Sequence, residues 1–268
     1  MQIRPILATL RKHRLTAILL TLQVAFTCAI VCNVAFMIAN RVQRVTIPTG
    51  IAENRLSTLS VTGIGKDENP WGRHQADLAA LRGIPGVESA VAVNYSLPLN
   101  QNVWMSGVCP SQAALDRAMH AMSMEKGGCM QSSVYDGSPG LLNTLGLELV
   151  AGRNFHEDEY VRGQKNVAVA IISKALAQHL YPGENALGKV MYFGDHVVRV
   201  VGIVRTLLSP TLLGKGTDYD STIWPLLPDN TNVTYVMRSA PKDRQQVLAA
   251  AKTTLLKLDA SRIINPRH

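Results

Sequence analysis

The sequence predicts an α+β protein in which one N-terminal transmembrane helix, residues 15–39, precedes a two-lobed external domain, residues 40–268. Three observations support this prediction. Residues 15–39 contain no Asp, Glu, Lys or Arg. Two later stretches each read as strand, helix and strand, with apolar residues first at period two and then at helical spacing. The residues between them, about 97–137, have a different pattern and are predicted to form an inserted subdomain.

The uncharged segment is long enough to cross a membrane. Its 25 residues would form a helix of roughly 37 Å, and the hydrocarbon core of a bilayer is about 30 Å thick. A cleaved signal peptide is the first alternative, but its apolar core spans only about 7–15 residues. A buried core helix is the second, but such a helix is rarely apolar on every side for seven turns.

The charged flanks predict the orientation of the span. Four basic residues precede it: Arg4, Arg11, Lys12 and Arg14. Only Arg41 and Arg44 follow it closely. Because basic residues stay on the cytoplasmic side, residues 1–14 are expected in the cytoplasm and the domain outside. In a Gram-negative bacterium this corresponds to an inner-membrane protein with a periplasmic domain.

The net charge does not indicate a nucleic-acid partner. The chain carries a formal charge of +8, but four of its 27 basic residues belong to the N-terminal flank. The remaining 23 basic residues are nearly balanced by 19 acidic residues, as is usual for a solvated protein surface. No basic stripe with interleaved aromatic residues occurs, so we expect no nucleic-acid binding.

The elements of the external domain follow in order from local patterns. Residues 56–62 alternate as a half-buried strand, residues 74–82 form a helix ended by Gly83 and Pro85, and residues 87–93 form a strand. In the middle, a strand at 104–108 leads to a helix from Ser111 to Met124 and a strand at 129–135. The remaining predicted strands are 148–150, 167–172, 197–204, 222–224 and 233–237. The remaining predicted helices are 138–146, 173–180 and 242–257.

The four cysteines divide between the two parts of the chain. Cys28 and Cys32 lie on one face of the span, where they are expected to act as small packing residues. Cys109 and Cys129 are the two cysteines of the external domain. In an oxidising compartment we expect a disulfide between them that closes a loop of about 20 residues. The alternative is two free buried thiols.

A polar stripe in the span predicts a contact with another membrane helix. Thr16, Gln23 and Thr27 fall on one side of a helical wheel. Polar groups in lipid are costly unless they meet other helices, with which they can form hydrogen bonds. The alternative is that each Thr hydroxyl bonds a carbonyl of its own helix.

Motifs for enzyme chemistry are missing from the sequence. Gly63 and Gly65 begin a dinucleotide-like pattern, but Glu68 stands at its third glycine position. The sequence contains no P-loop, no nucleophile elbow and no zinc-binding helix motif. The acidic segment His156–Glu159 reads better as a solvated loop than as a metal site. We therefore predict no catalytic, cofactor or metal site, and no enzyme activity.

Several motifs resemble the MacB-like periplasmic core domain of FtsX-like ABC transporter permeases. They are LGLELVAGRNF at 145–155, VAVAIIS at 167–173, LYPGENALGK at 180–189, VVGIV at 200–204, and the 81–87 stretch that ends in Pro-Gly-Val. Their order along the chain is the order in the family. The resemblance implies a porter-like lobe of strand–helix–strand units and an inserted Sabre-like lobe at about 97–137.

The resemblance also implies a function. Such proteins are permease subunits of efflux or lipoprotein-handling transporters, and they couple ATP-driven motion of a partner to the periplasmic domain. The expected partners are an ABC-type ATPase subunit that hydrolyses ATP, further permease spans or a second permease chain, and a periplasmic adaptor.

Members of the family typically have three further spans after the core domain. This sequence ends at Asn265–His268 without a second apolar run. We therefore expect either separately encoded spans or a truncated product. The alternative function is a stand-alone, membrane-anchored periplasmic sensor or assembly scaffold without transport.

Overall fold

The chain forms two compact units that divide between Ile47 and Pro48. The computed structural model describes residues 14–63, 69–94, 96–163, 167–194, 196–212 and 216–267. The cytoplasmic flank predicted from Arg4, Arg11 and Lys12 lies outside these ranges.

The first unit is a single helix, α1, at Arg14–Thr46. It extends seven residues beyond the predicted end of the span at Ala39. Among the described residues, α1 is the one helix that is long and apolar enough to cross a membrane. Every side chain described in it is exposed, including Leu19 and Phe26. An all-round apolar surface of this size is costly in water and suits a hydrocarbon environment.

The second unit contains six helices and thirteen strands within the described residues. The helices are α2 Pro70–Arg82, α3 Gln112–Ala121, α4 Met124–Gly127, α5 Leu141–Leu145, α6 Lys174–Leu180 and α7 Arg244–Leu258. The first strands are β1 Leu56–Thr62, β2 Val87–Val93, β3 Met105–Val108, β4 Met130–Asp136, β5 Leu149–Gly152, β6 Val161–Arg162 and β7 Val169–Ser173. The later strands are β8 Val190–Phe193, β9 His196–Val204, β10 Ser221–Trp224, β11 Leu226–Leu227, β12 Asn232–Ser239 and β13 Ile263–Arg267.

The small lobe is a four-stranded antiparallel sheet with helices α2 and α7 on one face. Its strand order is β13-β1-β12-β2, so it combines strands from the start and the end of the unit. One face of the sheet buries Leu59, Tyr235 and Met237 against Leu81 and Leu255 of the two helices. Strands β1 and β2 are separated by β12, which explains why the sequence pattern of the first strand–helix–strand unit does not produce paired strands.

The large lobe is a seven-stranded mixed sheet together with helices α3 to α6. Its order is β3-β4-β10-β7-β9-β5, with β8 paired to β9. Strand β7 lies at the centre and is buried on both faces, as its apolar run predicts. Ile171 faces the small lobe, whereas Ala170 and Ile172 pack into a separate core on the other side. Strands β7 and β9 pair in parallel around α6.

Strand β8 connects the β3 edge of the large sheet with β9. The backbones of Cys109 and Tyr192 exchange two hydrogen bonds, of 3.0 and 2.9 Å. Because β8 also pairs with β9, this bridge connects β9 to the residue that follows β3. The sheet therefore curves around the core that contains Met191 and Phe193.

The two lobes share a core. On the small sheet, Val91, Val93 and Val236 point away from α2 and α7 and pack with Leu142 and Leu145 of α5. The same core includes Tyr135, Ile171, Val204 and Ile223 of the large sheet. The lobes are thus packed on a common apolar layer, so we expect them to move together.

The segment predicted as an inserted subdomain, residues 97–137, contributes β3 and β4 to the large sheet. Strand β4 pairs in parallel with β10, so these strands share one sheet with residues 149–224. The division of the domain near residues 97 and 137 stays a prediction.

Two helix boundaries differ from the sequence-based expectation for local reasons. Helix α2 begins at Pro70 rather than His74, because the Asn69 side chain accepts a hydrogen bond from Gly72 N at 3.1 Å and caps the helix. Proline is well suited to the first helical position. The helix after Ser111 ends at Ala121, since Met122 is left-handed and Ser123 caps a second short helix.

A buried polar network connects the two ends of the small lobe. The Arg262 guanidinium donates from Nη1 to both carboxylate oxygens of Asp77, at 2.7 Å each. The Tyr235 hydroxyl donates to Asp77 Oδ2 at 2.6 Å, and His74 Nδ1 lies 2.9 Å from the same hydroxyl. Burial raises the pKa of Tyr235, and the Asp77 charge raises it further, so the hydroxyl keeps the proton that it donates.

Removing the Asp77 charge is expected to destabilise the small lobe strongly. In a D77N variant the Arg262 guanidinium, whose side chain is only 5% exposed, loses its buried counter-ion and, among the described residues, keeps only the partly exposed Asp259, at 3.1 Å from its Nε. Breaking one side of a buried ion pair costs about 3–5 kcal/mol, measurable as the free energy of unfolding in denaturant. Replacing both partners, as in D77L/R262M, is expected to cost less than D77L alone. A D77N variant within about 1 kcal/mol of the parent would contradict this role.

Candidate functional site

The two external cysteines lie directly opposite each other across β3 and β4. Val108 and Met130 are register partners, and Cys109 and Cys129 form the next pair, with a Cα–Cα distance of 4.3 Å. The structure joins them by a disulfide. Helices α3 and α4 fill the intervening loop, and the buried side chains of Ala114, Leu115 and Ala118 pack onto both cysteines.

The polar stripe of α1 divides into residues with different hydrogen bonding. Thr16, Gln23 and Thr27 are all exposed. The Thr27 hydroxyl donates to the Gln23 carbonyl at 2.8 Å, so it is satisfied within its own helix. Gln23 carries a larger side-chain amide that can bond across a helix interface. A helix contact through this stripe stays a prediction, and Gln23 is its central residue.

The acidic segment 156–159 is held by an arginine of the family-like motif. Arg153 donates to both carboxylate oxygens of Glu159, at 2.8 and 2.6 Å, and His156 N donates to the same carboxylate at 2.8 Å. The hydrogen bond from Arg153 lowers the pKa of Glu159. In the part of the chain that the structure describes, no three His, Cys, Asp or Glu side chains are grouped to hold a metal.

The glycine before this arginine explains why the motif is a structural one. Gly152 has a φ of +76°, and a Cβ atom there would lie 2.2 Å from the Val201 carbonyl oxygen. Glycine is the residue that accepts this backbone angle and close approach without strain. The motif therefore fixes how β5 meets β9.

A cavity of about 700 Å³ lies at one end of the large sheet. We call it the tryptophan cavity, defined by Trp104, Phe193, Trp224 and Asp136. Trp104 and Phe193 both stand edge-to-face on Trp224, with ring centroids 4.9 and 5.2 Å away. Asp136 and Trp224 are register partners at the carboxyl ends of the parallel strands β4 and β10, so both residues end at the cavity.

The Asp136 carboxylate is the most unusual group in the cavity. The residue is 2% exposed, and its Oδ2 accepts a hydrogen bond from Asn94 Nδ2 at 2.6 Å. Its Oδ1 accepts none from the described residues, and neither does Asn94 Oδ1. Burial raises the pKa of Asp136 to about 6, against the opposing effects of the Asn94 side-chain bond and of the backbone N–H groups of Asn94 and Asp136. Such groups are typical of functional sites.

Sequence reasoning did not find the tryptophan cavity. Its defining residues are separated by up to 120 positions along the chain, and Asp136 precedes Gly137 in what reads as an ordinary turn. The available signal was weak: a carboxylate at the end of a strand whose preceding residues are apolar or small. The parallel pairing of β4 with β10 creates the site, and local periodicity does not reveal such pairing.

Removing the disulfide is expected to lower the stability of the large lobe. The C109A/C129A variant lacks the bond that closes a loop between residues 20 positions apart. We expect its free energy of unfolding to be lower by about 2–4 kcal/mol, which thermal unfolding can measure. The C28A/C32A variant, with both changes in α1, is the matched control and should leave the unfolding of the domain unchanged. Peptide mapping of unreduced protein that finds Cys109 and Cys129 free would contradict the bond.

The Asp136 carboxylate is expected to make stability fall as pH rises. The folded protein keeps this proton up to about pH 6, whereas the unfolded chain releases it near 3.8. Between pH 3.8 and about pH 6 the folded state therefore binds more protons than the unfolded state. The free energy of unfolding consequently falls as the pH rises through this range. In thermal unfolding, the D136N variant should be more stable than the parent by about 2–3 kcal/mol at pH 7.5. At pH 4 the two proteins should have almost the same stability.

The exposed Asp116 on α3 provides the control for this measurement. D116N should change stability by less than about 0.5 kcal/mol at either pH. A D136N variant that is less stable than the parent at pH 7.5 would show that the charge is favourably solvated.

Comparisons with known proteins identify a relative of this chain by sequence. The chain is 26% identical over 232 residues to the macrolide export ATP-binding/permease protein MacB of Pasteurella multocida, strain Pm70. The alignment covers 85% of this chain and 32% of that protein, so the chain spans about a third of the relative's length.

Two solved structures are also similar to the chain. One is the periplasmic region of MacB from Actinobacillus actinomycetemcomitans, with 15% identity, a TM-score of 0.48, and coverage of 83% of this chain and 93% of that one. The other is the extracellular domain of the noncanonic ABC-type transporter YknZ from Gram-positive bacteria, with 15% identity, a TM-score of 0.47, and coverage of 78% and 99%.

The family comparison covers most of the sequence. The model of the MacB-like periplasmic core domain matches residues 15–254, which include the apolar helix and nearly all of the external domain. The motifs at 145–155, 167–173 and 180–189 all fall inside this match. The chain therefore belongs to the MacB-like periplasmic core domain family.

Proposed function

We propose that this chain is a permease subunit, or the N-terminal part of one, of an ABC-type transporter for efflux or lipoprotein handling. In this role it couples ATP-driven motion of a partner to its external domain. The observation that carries the proposal is the family match over residues 15–254, which joins a membrane helix to a periplasmic core domain. The MacB relative is a macrolide export protein, which favours export as the direction.

The start of the external unit is attached to the rest of that unit by hydrogen bonds, as transmission of force would require. Helix α1 ends at Thr46, and the second unit begins at Pro48. The Pro48 carbonyl accepts a hydrogen bond from the Tyr219 hydroxyl at 3.1 Å, and the Thr49 carbonyl accepts one from Leu208 N at 3.0 Å. A pull on Pro48 therefore reaches the segment that follows β9.

Gly50 makes this attachment tight. Its φ is +85°, and a Cβ atom there would lie 2.1 Å from the Thr206 carbonyl oxygen. The backbone of residues 48–50 thus lies against residues 206–208 at a distance that only glycine permits. Because the two backbone segments are in such close contact, we expect a displacement of residues 48–50 to move residues 206–208 as well.

We propose that ATP hydrolysis takes place in a separate nucleotide-binding subunit. We propose further permease spans or a second permease chain as membrane partners, and a periplasmic adaptor as an external one. Gln23 supports a membrane partner, since its side-chain amide lies on an exposed face of an otherwise apolar helix.

We propose that α1 spans the inner membrane with its N-terminus in the cytoplasm. The four basic residues before the span support this orientation. The mapping of Cys109 and Cys129 tests it too, because the cytosol keeps such thiols reduced.

Affinity purification of the tagged full-length chain from membranes of its native host tests the function. We expect an ABC-type ATPase and additional permease spans to co-purify, and the complex to hydrolyse ATP. The Q23L variant should retain several-fold less partner, because the cross-helix bond is lost. T21V is the matched control and should behave like the parent, because Thr21 precedes Gln23 by two positions and so lies on the opposite side of the helix.

The stand-alone sensor or scaffold predicts a different result. Purified from the same membranes, such a chain would bring no ATPase, and Q23L would match the parent. That outcome would exclude the permease role.

A further inference from the structure

We propose that the tryptophan cavity binds a small organic cation, a protonated amine on an apolar body, with Asp136 as its counter-ion. The transport function proposed above does not use this cavity, and the proposal does not depend on that function.

The charges around the cavity favour a cation. The described residues that line it include the carboxylates Asp136 and Asp229, together with His196, but no Lys or Arg. The surrounding apolar walls lower the local dielectric, which strengthens attraction to a positive charge. An anion would meet two carboxylates here without a compensating arginine or lysine among the described lining residues.

The open hydrogen-bond positions favour a donor. Asp136 Oδ1 and Asn94 Oδ1 are both acceptors, and neither receives a hydrogen from the described residues. Buried polar atoms are nearly always paired, so two open acceptors on adjacent, mutually bonded side chains indicate a missing donor. An ammonium group carries three N–H bonds and a positive charge, and it can serve both residues.

The aromatic walls favour an organic cation over a metal ion. Trp104, Phe193 and Trp224 form a continuous edge-to-face stack, and Val198 and Leu227 extend the apolar lining. Aromatic faces attract ammonium groups, and the apolar remainder suits a hydrocarbon body. A divalent ion such as Ca²⁺ takes about 6–8 oxygen ligands, and no three His, Cys, Asp or Glu side chains of the described residues are grouped to hold one. The Trp224 indole N–H also lacks an acceptor among the described residues, which favours a ligand that also carries an oxygen.

The size of the cavity agrees with a small molecule. Its volume of about 700 Å³ lies in the range of small-molecule pockets, about 300–1,000 Å³. Water alone is the competing occupant, because ordered water can also serve buried acceptors. The two occupants differ in one respect: only the cation makes binding depend on the Asp136 charge.

The test measures ligand binding to the full-length chain in lipid nanodiscs at pH 7.5. The probes are phenethylamine, which is protonated at this pH, and 2-phenylethanol, its neutral analogue of similar shape. Tryptophan fluorescence reports binding directly, because two of the three tryptophans line the cavity, and empty nanodiscs correct for partitioning into lipid. We expect the amine to bind at least tenfold more tightly than the alcohol.

Variants separate the charge from the shape of the cavity. D136N keeps the size of the side chain and should weaken amine binding about 10- to 100-fold, as expected for loss of a charge-assisted hydrogen bond. D116N, on the exposed face of α3, should bind like the parent. W224L should weaken both probes, because it removes an aromatic wall. Thermal unfolding of each variant confirms that it is folded.

Three results would overturn the proposal. The first is equal affinity for the amine and the alcohol. The second is unchanged amine binding by a folded D136N variant. The third is no saturable binding of phenethylamine, in which case water is the occupant of the cavity.

Discussion

The buried ion pair between Asp77 and Arg262 is the constraint on which the small lobe depends. Asp77 lies in the first helix of the external domain, and Arg262 precedes its last strand. Strands β12 and β13 lie on either side of β1 in the sheet, and both follow the large-lobe strands in the sequence. The ion pair therefore connects the two ends of the domain, and a chain that has not returned leaves a buried carboxylate unpaired. The small lobe is therefore built from residues on both sides of the large lobe in the sequence.

The shared apolar layer extends this dependence to the whole domain. Val91 and Val236 of the small sheet pack with Ile171 and Ile223 of the large sheet. The beginning of the domain is attached to the segment after β9, and β9 pairs with the central strand β7. A displacement of Pro48 is therefore expected to move the segment after β9 and, through β9, the central strand β7. This suits a domain of the MacB-like family, for which we propose that motion rather than catalysis is the output.

Two buried carboxylates in this domain differ in how completely their oxygens are hydrogen-bonded. Asp77 accepts hydrogen bonds at both oxygens, from Arg262 and Tyr235, and it stabilises the fold. Asp136 is equally buried but keeps one oxygen open, in a cavity without a lysine or arginine among its described lining residues. An open charge of this kind lowers stability at neutral pH. We propose that its place in the lining of the tryptophan cavity reflects a ligand rather than a structural role.

Much of the fold could be predicted from the sequence by itself. The apolar run at 15–39, the alternation at 56–62 and the six apolar residues at 167–172 are local patterns, and local patterns report local structure. The cysteine pair could be proposed because only two cysteines lie outside the span. The helix starts at Asn69 and Ser123 were not predicted, since a cap and a turn use the same residue types.

Only the tertiary structure decided which strands pair and which side chains meet. Strand β12 separates β1 from β2, and β4 lies beside β10, because hydrophobic periodicity reports a buried face but not its partner strand. The tryptophan cavity depends on that pairing. Asp136 and Trp224 are 88 residues apart in the sequence and become neighbours only when two parallel strands end at the same edge.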